Sequence, residues 1–233
     1  MATPLTIVGI DVPRFPTKIA GEHRSGSEWV VAGQNILERA VKAALEVTGA
    51  EHIRLLTGAP DQGIFDLVEK YGVVETELPS WLQRSADLAR SANEGDVAVF
   101  LRAGVLLRHY KPLRKAIDAV RHLKDVDRCE AAMRPERYAT SLSNIHFVNR
   151  GDEGTRLQPC HEVLAQDLSD FAVLCPAFEV MKLRGFSMNR IGGVAQSGTA
   201  FVWVDEGDQV SLEGPIDWLR AEVMLESERE VDA

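Results

Sequence analysis

Cysteine is scarce in this chain: three in 233 residues, at positions 129, 160 and 175, with no CxxC pair. An odd count at wide spacing excludes a disulfide framework and argues against a zinc site, so the thiols are expected to be reduced and mostly buried. No apolar stretch reaches the length needed to span a bilayer. The opening MATPLTIVGIDVPR has no basic region before its short apolar run, so it does not read as a signal peptide, and a cytoplasmic protein is expected. Positive charge is in deficit: 26 Lys and Arg against 35 Asp and Glu, a net charge of −9. That balance argues against general binding to nucleic acid or to an anionic membrane. There is no internal repeat. His23, His109, His146 and His161 are dispersed, with no metal-ligand spacing on one helix.

What is present is ordinary globular material, 45% hydrophobic and 26% charged, long enough for one domain with a substantial core. PLTIVGI (4–10) is an apolar, β-branched run that reads as a buried parallel strand. Helical spacing follows over 33–47, a strand over 52–58, and a helix over 61–72 closed by Gly72. VVETEL is a short strand, 80–95 a helix with a Ser N-cap, 96–107 a central strand, and 110–126 a helix with a basic face. This alternation predicts an α/β, three-layer, doubly wound and mostly parallel sheet over a single domain, 1–233. Regularity lapses over 128–170, and residues 135–170 read as an inserted hairpin or lobe. It returns with strands in 171–185 and 199–205 and a final helix over 215–230. Trp203 and Trp218 read as core; Trp29 and Trp81 read as exposed or at an interface.

The stretch DVPRFPTKIAG (11–21) places Arg14, Pro16 and Lys18 in a stiff loop where the first buried strand ends. In open α/β sheets ligands bind at the carboxyl ends of the strands, and a proline-braced basic loop there suits a phosphate-bearing ligand.

RFPTK (14–18) resembles the R-[IL]-P-G-K loop of the cytidylyltransferases that activate acidic sugars, such as those making CMP-sialic acid and CMP-KDO. SLEGPIDWLRAEVM (211–224) is similar to their D-[IL]-D-T-P-E-D segment and the helix after it. LLTGAPDQGIFDLVEKYGV, VAVFLRAGVLLR and AQDLSDFAVLCPAFEVMK resemble, in order and spacing, their second strand and helix, central strand, and sugar-facing segment. The likeness spans nearly the whole chain through individually weak motifs. It implies a nucleotide-diphospho-sugar-transferase-like fold and transfer of CMP from CTP to an acidic sugar or a phosphonate, with release of pyrophosphate. It also implies Arg14 and Lys18 on the triphosphate, Thr57 and Arg102 lining the nucleotide site, and Gln166 and Glu179 facing the acceptor. Mg²⁺ would be held by Glu213 with help from Asp217, and the lobe at 135–170 would form a homodimer. Asp217 also suits a plain helix cap, since a carboxylate in the first turn is favoured by the helix dipole.

The chain departs from that pattern at chemically costly places. The turn before RFPTK is shortened to DVP, and an extra stretch, EHRSGSEWVVA (22–32), follows Lys18; its Arg24, Ser25 and Gly26 suit a phosphate nest or a flexible lid. Ala103 stands where KDO-activating members place a metal-binding Asp, Ser211 replaces the first C-terminal Asp, and Ala165 replaces a sugar-binding Arg. Arg102, Arg108, Lys111, Arg114 and Lys115 gather near the central strand, with Arg102 expected in the loop beyond it. Two further readings stay open: a catalytically degenerate nucleotide-binding relative that regulates or interacts, and a glycosyltransferase with a similar sheet.

Overall fold

The computed structural model describes residues 3–13, 17–19, 22–24, 26–133, 145–151, 154–159, 171–184, 186, 198–212 and 215–231. Strand β1 (Thr6–Asp11) leads through the small hairpins β2 (Thr17–Ile19)–β3 (Glu22–Arg24) and β4 (Val30–Val31)–β5 (Gln34–Asn35) to helix α1 (Ile36–Leu45). Then come β6 (Ile53–Leu56), α2 (Gln62–Tyr71), β7 (Val74–Thr76), α3 (Leu78–Ala89), β8 (Val97–Arg102), β9 (Val105–Leu107) and α4 (Lys111–His122). The second half holds β10 (Arg128–Met133), β11 (Ile145–Gly151), β12 (Gly154–Pro159), β13 (Phe171–Lys182), β14 (Thr199–Trp203), β15 (Gln209–Ser211) and α5 (Pro215–Val231).

The main sheet has nine strands in the order β10-β14-β12-β11-β13-β8-β1-β6-β7. β8, β1, β6 and β7 are parallel, with Thr6 abreast of Val97 and Val8 abreast of Ile53. This is the doubly wound half that the strand–helix alternation predicts. β13 enters antiparallel beside β8, and β10 pairs with both β13 and, in parallel, β14.

Side-chain alternation splits the core into two layers. Val8, Ile10, Ile53, Leu55, Val99 and Leu101 face one way and pack under α1, α2 and α4. Ile7, Leu56, Ala98 and Phe100 face the other way and pack on α3 around Trp81. Gly9 lies on that second face because the indole sits over it: a Cβ there would come within 2.7 Å of Trp81 Cε2. A third cluster joins Trp29, Ile36, Leu106 and Val210 to Trp218 and Leu225 of α5.

Several local expectations are revised. The run 96–107 contains the expected buried strand, β8, and a second short strand, β9, beyond Ala103–Gly104. Helix α3 starts at Leu78 after Glu77, so Ser80 lies inside the first turn and is not the N-cap. Trp29 and Trp81 are buried, at 4% and 2% exposure, while Trp203 is 40% exposed. Trp29 meets Trp218 edge-on at 5.3 Å, and Trp81 packs between Phe100 and Phe186; Trp203 lies on β14, second from the edge of the sheet, with Phe201 edge-on to it at 4.7 Å. Cys129 and Cys175 are free and buried, and burial pushes their thiols up to about 12 and about 11; Cys160 lies outside the described residues. Among the described residues, no helix is long and apolar enough to cross a membrane.

Candidate functional site at the β1/β8 strand ends

The chain winds from β1 outward to β6 and β7, then crosses under the sheet through α3 and returns as β8 on the other flank of β1. The winding direction therefore reverses between β1 and β8. In open α/β sheets such a reversal marks the crevice, at the carboxyl ends of the two strands, where ligands bind. Asp11, the last residue of β1, is in register with Arg102, the last residue of β8. Ala103 N–H donates to Asp11 O at 3.2 Å, and Val12 N–H donates to Leu56 O at 3.2 Å.

Three loops meet at this end. The first leaves β1 through Pro13, whose ring lies against Gly104: a Cβ at Gly104 would stand 3.5 Å from Pro13 Cγ. Arg14, Phe15 and Pro16 lie outside the described residues, and the chain resumes in β2, where Lys18 is paired with His23. The second loop follows β6. Thr57 is 8% exposed, its N–H donates to Thr76 O at 3.0 Å, and its Oγ1 accepts from Ala59 N at 3.2 Å. The hydroxyl thus shapes the turn into α2. The third loop is C-terminal. β15 pairs antiparallel with β9, and Leu212 N–H donates to Gly104 O at 3.0 Å. Glu213 lies outside the described residues, but the chain on both sides is placed: Leu212 beside Gly104, and Pro215 opening α5. Asp217 is half-buried in the first turn of α5.

The extra stretch after Lys18 is tied down from Ser27 onward. Ser27 Oγ donates to the Asp61 carboxylate at 2.6 Å, and Asn35 Nδ2 donates to Ser27 O at 2.6 Å. Asp61 Oδ1 accepts from Ile64 N at the start of α2, and Asn35 Oδ1 accepts from Glu38 N at the start of α1. One serine therefore links the caps of two helices flanking the crevice. Nothing in the sequence marked Ser27; the Asp61 cap was legible only as the start of a helix.

The basic residues divide. Arg102 is the final residue of β8, not a loop residue, and its guanidinium lies 5.8 Å over the Phe100 ring. Arg108, Lys111 and Arg114 line a separate cleft of about 720 Å³ between α1 and α4. There Arg114 pairs with Glu46 at 2.7 Å; Arg108 pairs with Asp208 at 3.0 Å.

Glu179 sits mid-sheet on β13, abreast of Phe100 on β8 and of Glu130 on β10. Arg128 Nε lies 2.6 Å from Glu130 Oε1 and 3.2 Å from Glu179 Oε1. Burial raises the Glu130 carboxyl to about 7, with Arg128 opposing and Glu179 adding to the rise. Like charges directly across a ladder are destabilising, so this face carries a charged row where apolar residues pack elsewhere. The sequence marked Glu179 but not its partners. Gln166 lies outside the described residues.

Among the described residues, no group of three His, Cys, Asp or Glu side chains is placed to hold a metal ion. Asp217 is the described member of the metal-binding pair expected from the sequence; Glu213 is not among the described residues.

No family model and no curated protein matches the chain. Solved structures do. The structure of CMP:2-keto-3-deoxy-manno-octonic acid synthetase complexed with CTP matches with a TM-score of 0.61 and 12% identity, over 95% of this chain and 99% of that one. 4-Diphosphocytidyl-2C-methyl-D-erythritol synthase matches at 0.58 and 10%, over 96% and 100%. Mannose-1-phosphate geranyltransferase from Thermus thermophilus matches at 0.51 and 12%, over 76% and 57%. What the chain shares with these proteins is therefore its fold, an α/β sheet of the nucleotide-diphospho-sugar-transferase type carried along almost its entire length.

Proposed function

We propose that the chain is a nucleotidyltransferase that transfers CMP from CTP to an anionic acceptor, an acidic sugar or a phosphonate, releasing pyrophosphate. What supports this reading is the switch point between β1 and β8, whose last residues, Asp11 and Arg102, lie in register at the end of the sheet where open α/β folds bind ligands. The full-length fold likeness to two proteins that form cytidylyl products supports it.

In the reaction an acceptor oxygen attacks the α-phosphorus of CTP. A new P–O bond forms, the bond to the β-phosphate oxygen breaks, and pyrophosphate departs; a hydroxyl acceptor also releases its proton. Negative charge gathers on phosphate oxygens, so positioning and charge neutralisation supply most of the catalysis. Arg14 and Lys18 hold the triphosphate, and Thr57 and Arg102 line the nucleotide. Gln166 faces the acceptor, whereas Glu179, expected there from the sequence, is buried in mid-sheet against Arg128. Glu213 and Asp217 hold Mg²⁺, which neutralises the developing charge when bound. The lobe at 135–170 serves a homodimer, to be checked by light scattering of the purified chain.

One observation favours a second reading, binding without turnover. Ala103 and Ser211, the positions without the expected carboxylates, flank the same spot, where Leu212 N–H bonds Gly104 O. Incubation with CTP, Mg²⁺ and a panel of 2-keto-3-deoxy sugar acids and phosphonates separates the two. Pyrophosphate release that is lost in Lys18→Ala supports transfer. CTP binding with no release from any acceptor supports the second reading, and absence of CTP binding removes both.

A further inference from the structure

A buried cation without a carboxylate lies on the α3 face of the sheet, apart from the β1/β8 crevice. Arg54 is the second residue of β6, abreast of Gly9 on β1 and of Val74 on the edge strand β7. It keeps 9% of its surface. Its Nη1 donates to two main-chain carbonyls, Glu51 O at 2.6 Å and Ile53 O at 2.9 Å. Among the described residues no acid pairs with it, and the charge it feels from a neighbour is that of Arg84, of the same sign. Burial first, and Arg84 second, hold the Arg54 pKa below its ordinary value. A charge drawn partly out of water with no counter-charge is destabilised, and a second cation beside it adds to the cost.

The two arginines line a cleft of about 860 Å³ between α3 and the β6–β7 edge. Thr76 and Ser80 bring hydroxyls to it, Gln83 an amide, and Trp81 an aromatic wall. The acid in the lining, Asp87, is held at the rim, where it accepts from Gln83 Nε2 at 3.1 Å and lies 3.6 Å from Arg90. Two guanidiniums with surplus charge, backed by hydroxyl donors, match a tetrahedral dianion better than a single carboxylate. The volume exceeds that of a free phosphate, and the indole wall suits an organic remainder.

We propose that this cleft binds the phosphate of a phosphorylated small molecule, with Arg54 and Arg84 as its forked donors and Thr76 and Ser80 completing the cradle. The ligand returns to Arg54 the counter-charge that its burial lacks. The site is independent of the transfer reaction proposed above.

The test is thermal unfolding of the full chain at constant ionic strength in chloride, acetate, inorganic phosphate and glycerol 3-phosphate. Phosphate is expected to raise Tm by about 5 °C at one hundred times its Kd, acetate is not, and the phosphomonoester binds more tightly than phosphate. Arg54→Met abolishes the phosphate shift and raises Tm in chloride, because the unpaired charge is gone. Arg84→Gln, on the helix surface, weakens phosphate about tenfold without lowering Tm in chloride. Lys18→Ala keeps the shift, which separates this cleft from phosphate in the crevice. A shift that survives Arg54→Met and Arg84→Gln, a shift lost in Lys18→Ala, or no phosphate shift in the parent protein overturns the proposal; a phosphomonoester no tighter than phosphate overturns its organic ligand.

Discussion

Ser27 Oγ lies 2.6 Å from both carboxylate oxygens of Asp61, 34 residues along the chain. Through this contact the extra stretch after Lys18 is fastened to the N-terminus of α2 beside the crevice. Gly63 permits the approach, since a Cβ there would fall 2.7 Å from Ser27 Oγ. Ser27→Ala is expected to cost about 1–2 kcal/mol by leaving a half-buried charge-assisted bond unmade. Asp61→Ala costs more, because the same carboxylate also caps α2. Urea unfolding of both variants checks the order.

Gly9→Ala sets a methyl against Trp81 and Leu56. Overpacking of this kind costs about 1–3 kcal/mol. Trp81→Leu in the Gly9→Ala background is expected to recover part of that loss, so the two substitutions should be non-additive in a double-mutant cycle read by thermal unfolding.

Glu130 provides a pH dependence with a definite sign. Its folded pKa, about 7, stands above the ordinary 4.5, so the folded state binds its proton more tightly than the unfolded one. Stability from this group is present below pH 4.5 and is lost as the pH rises towards 7. Glu130→Gln is therefore expected to be more stable than the parent at about pH 8, by up to about 3 kcal/mol, with the gap closing near pH 4.5. Denaturant unfolding across that range measures it.

Arg102 and Arg114 separate the crevice from the outer basic cleft. Arg102→Ala is expected to weaken CTP binding about tenfold, the loss of one charge-assisted hydrogen bond. Arg114→Ala, whose guanidinium is held by Glu46, is expected to leave it unchanged. Isothermal titration with CTP and Mg²⁺ distinguishes them.

Trp29→Ala removes the edge-on contact with Trp218 and opens the small cluster beneath α5. A loss of about 3–5 kcal/mol is expected, as for other large-to-small core changes, measured by the shift of the unfolding midpoint.

The α/β class and the winding of the first half were legible because they rest on local signals. The run from Thr6 to Asp11 is apolar on both faces, and Gly72, at φ +68°, closes α2 as a local cap. The crevice was legible as the place where the first strand gives way to RFPTK. Trp218 was read correctly as core, but Trp29, Trp81 and Trp203 were misjudged because burial is set by what lies opposite. Trp29 is buried by Trp218, from the other end of the chain, and Trp203 is exposed because its strand lies far out in the sheet order.

By itself, the order of apolar runs and turn residues determined the doubly wound sheet, since strand and helix periods and caps are read within a few residues. The tertiary structure alone decided which polar and charged groups meet: Ser27 with Asp61, Arg128 between Glu130 and Glu179, and Arg54 left beside Arg84. Those encounters join residues from distant elements, and their energetics depend on burial, which no local pattern encodes.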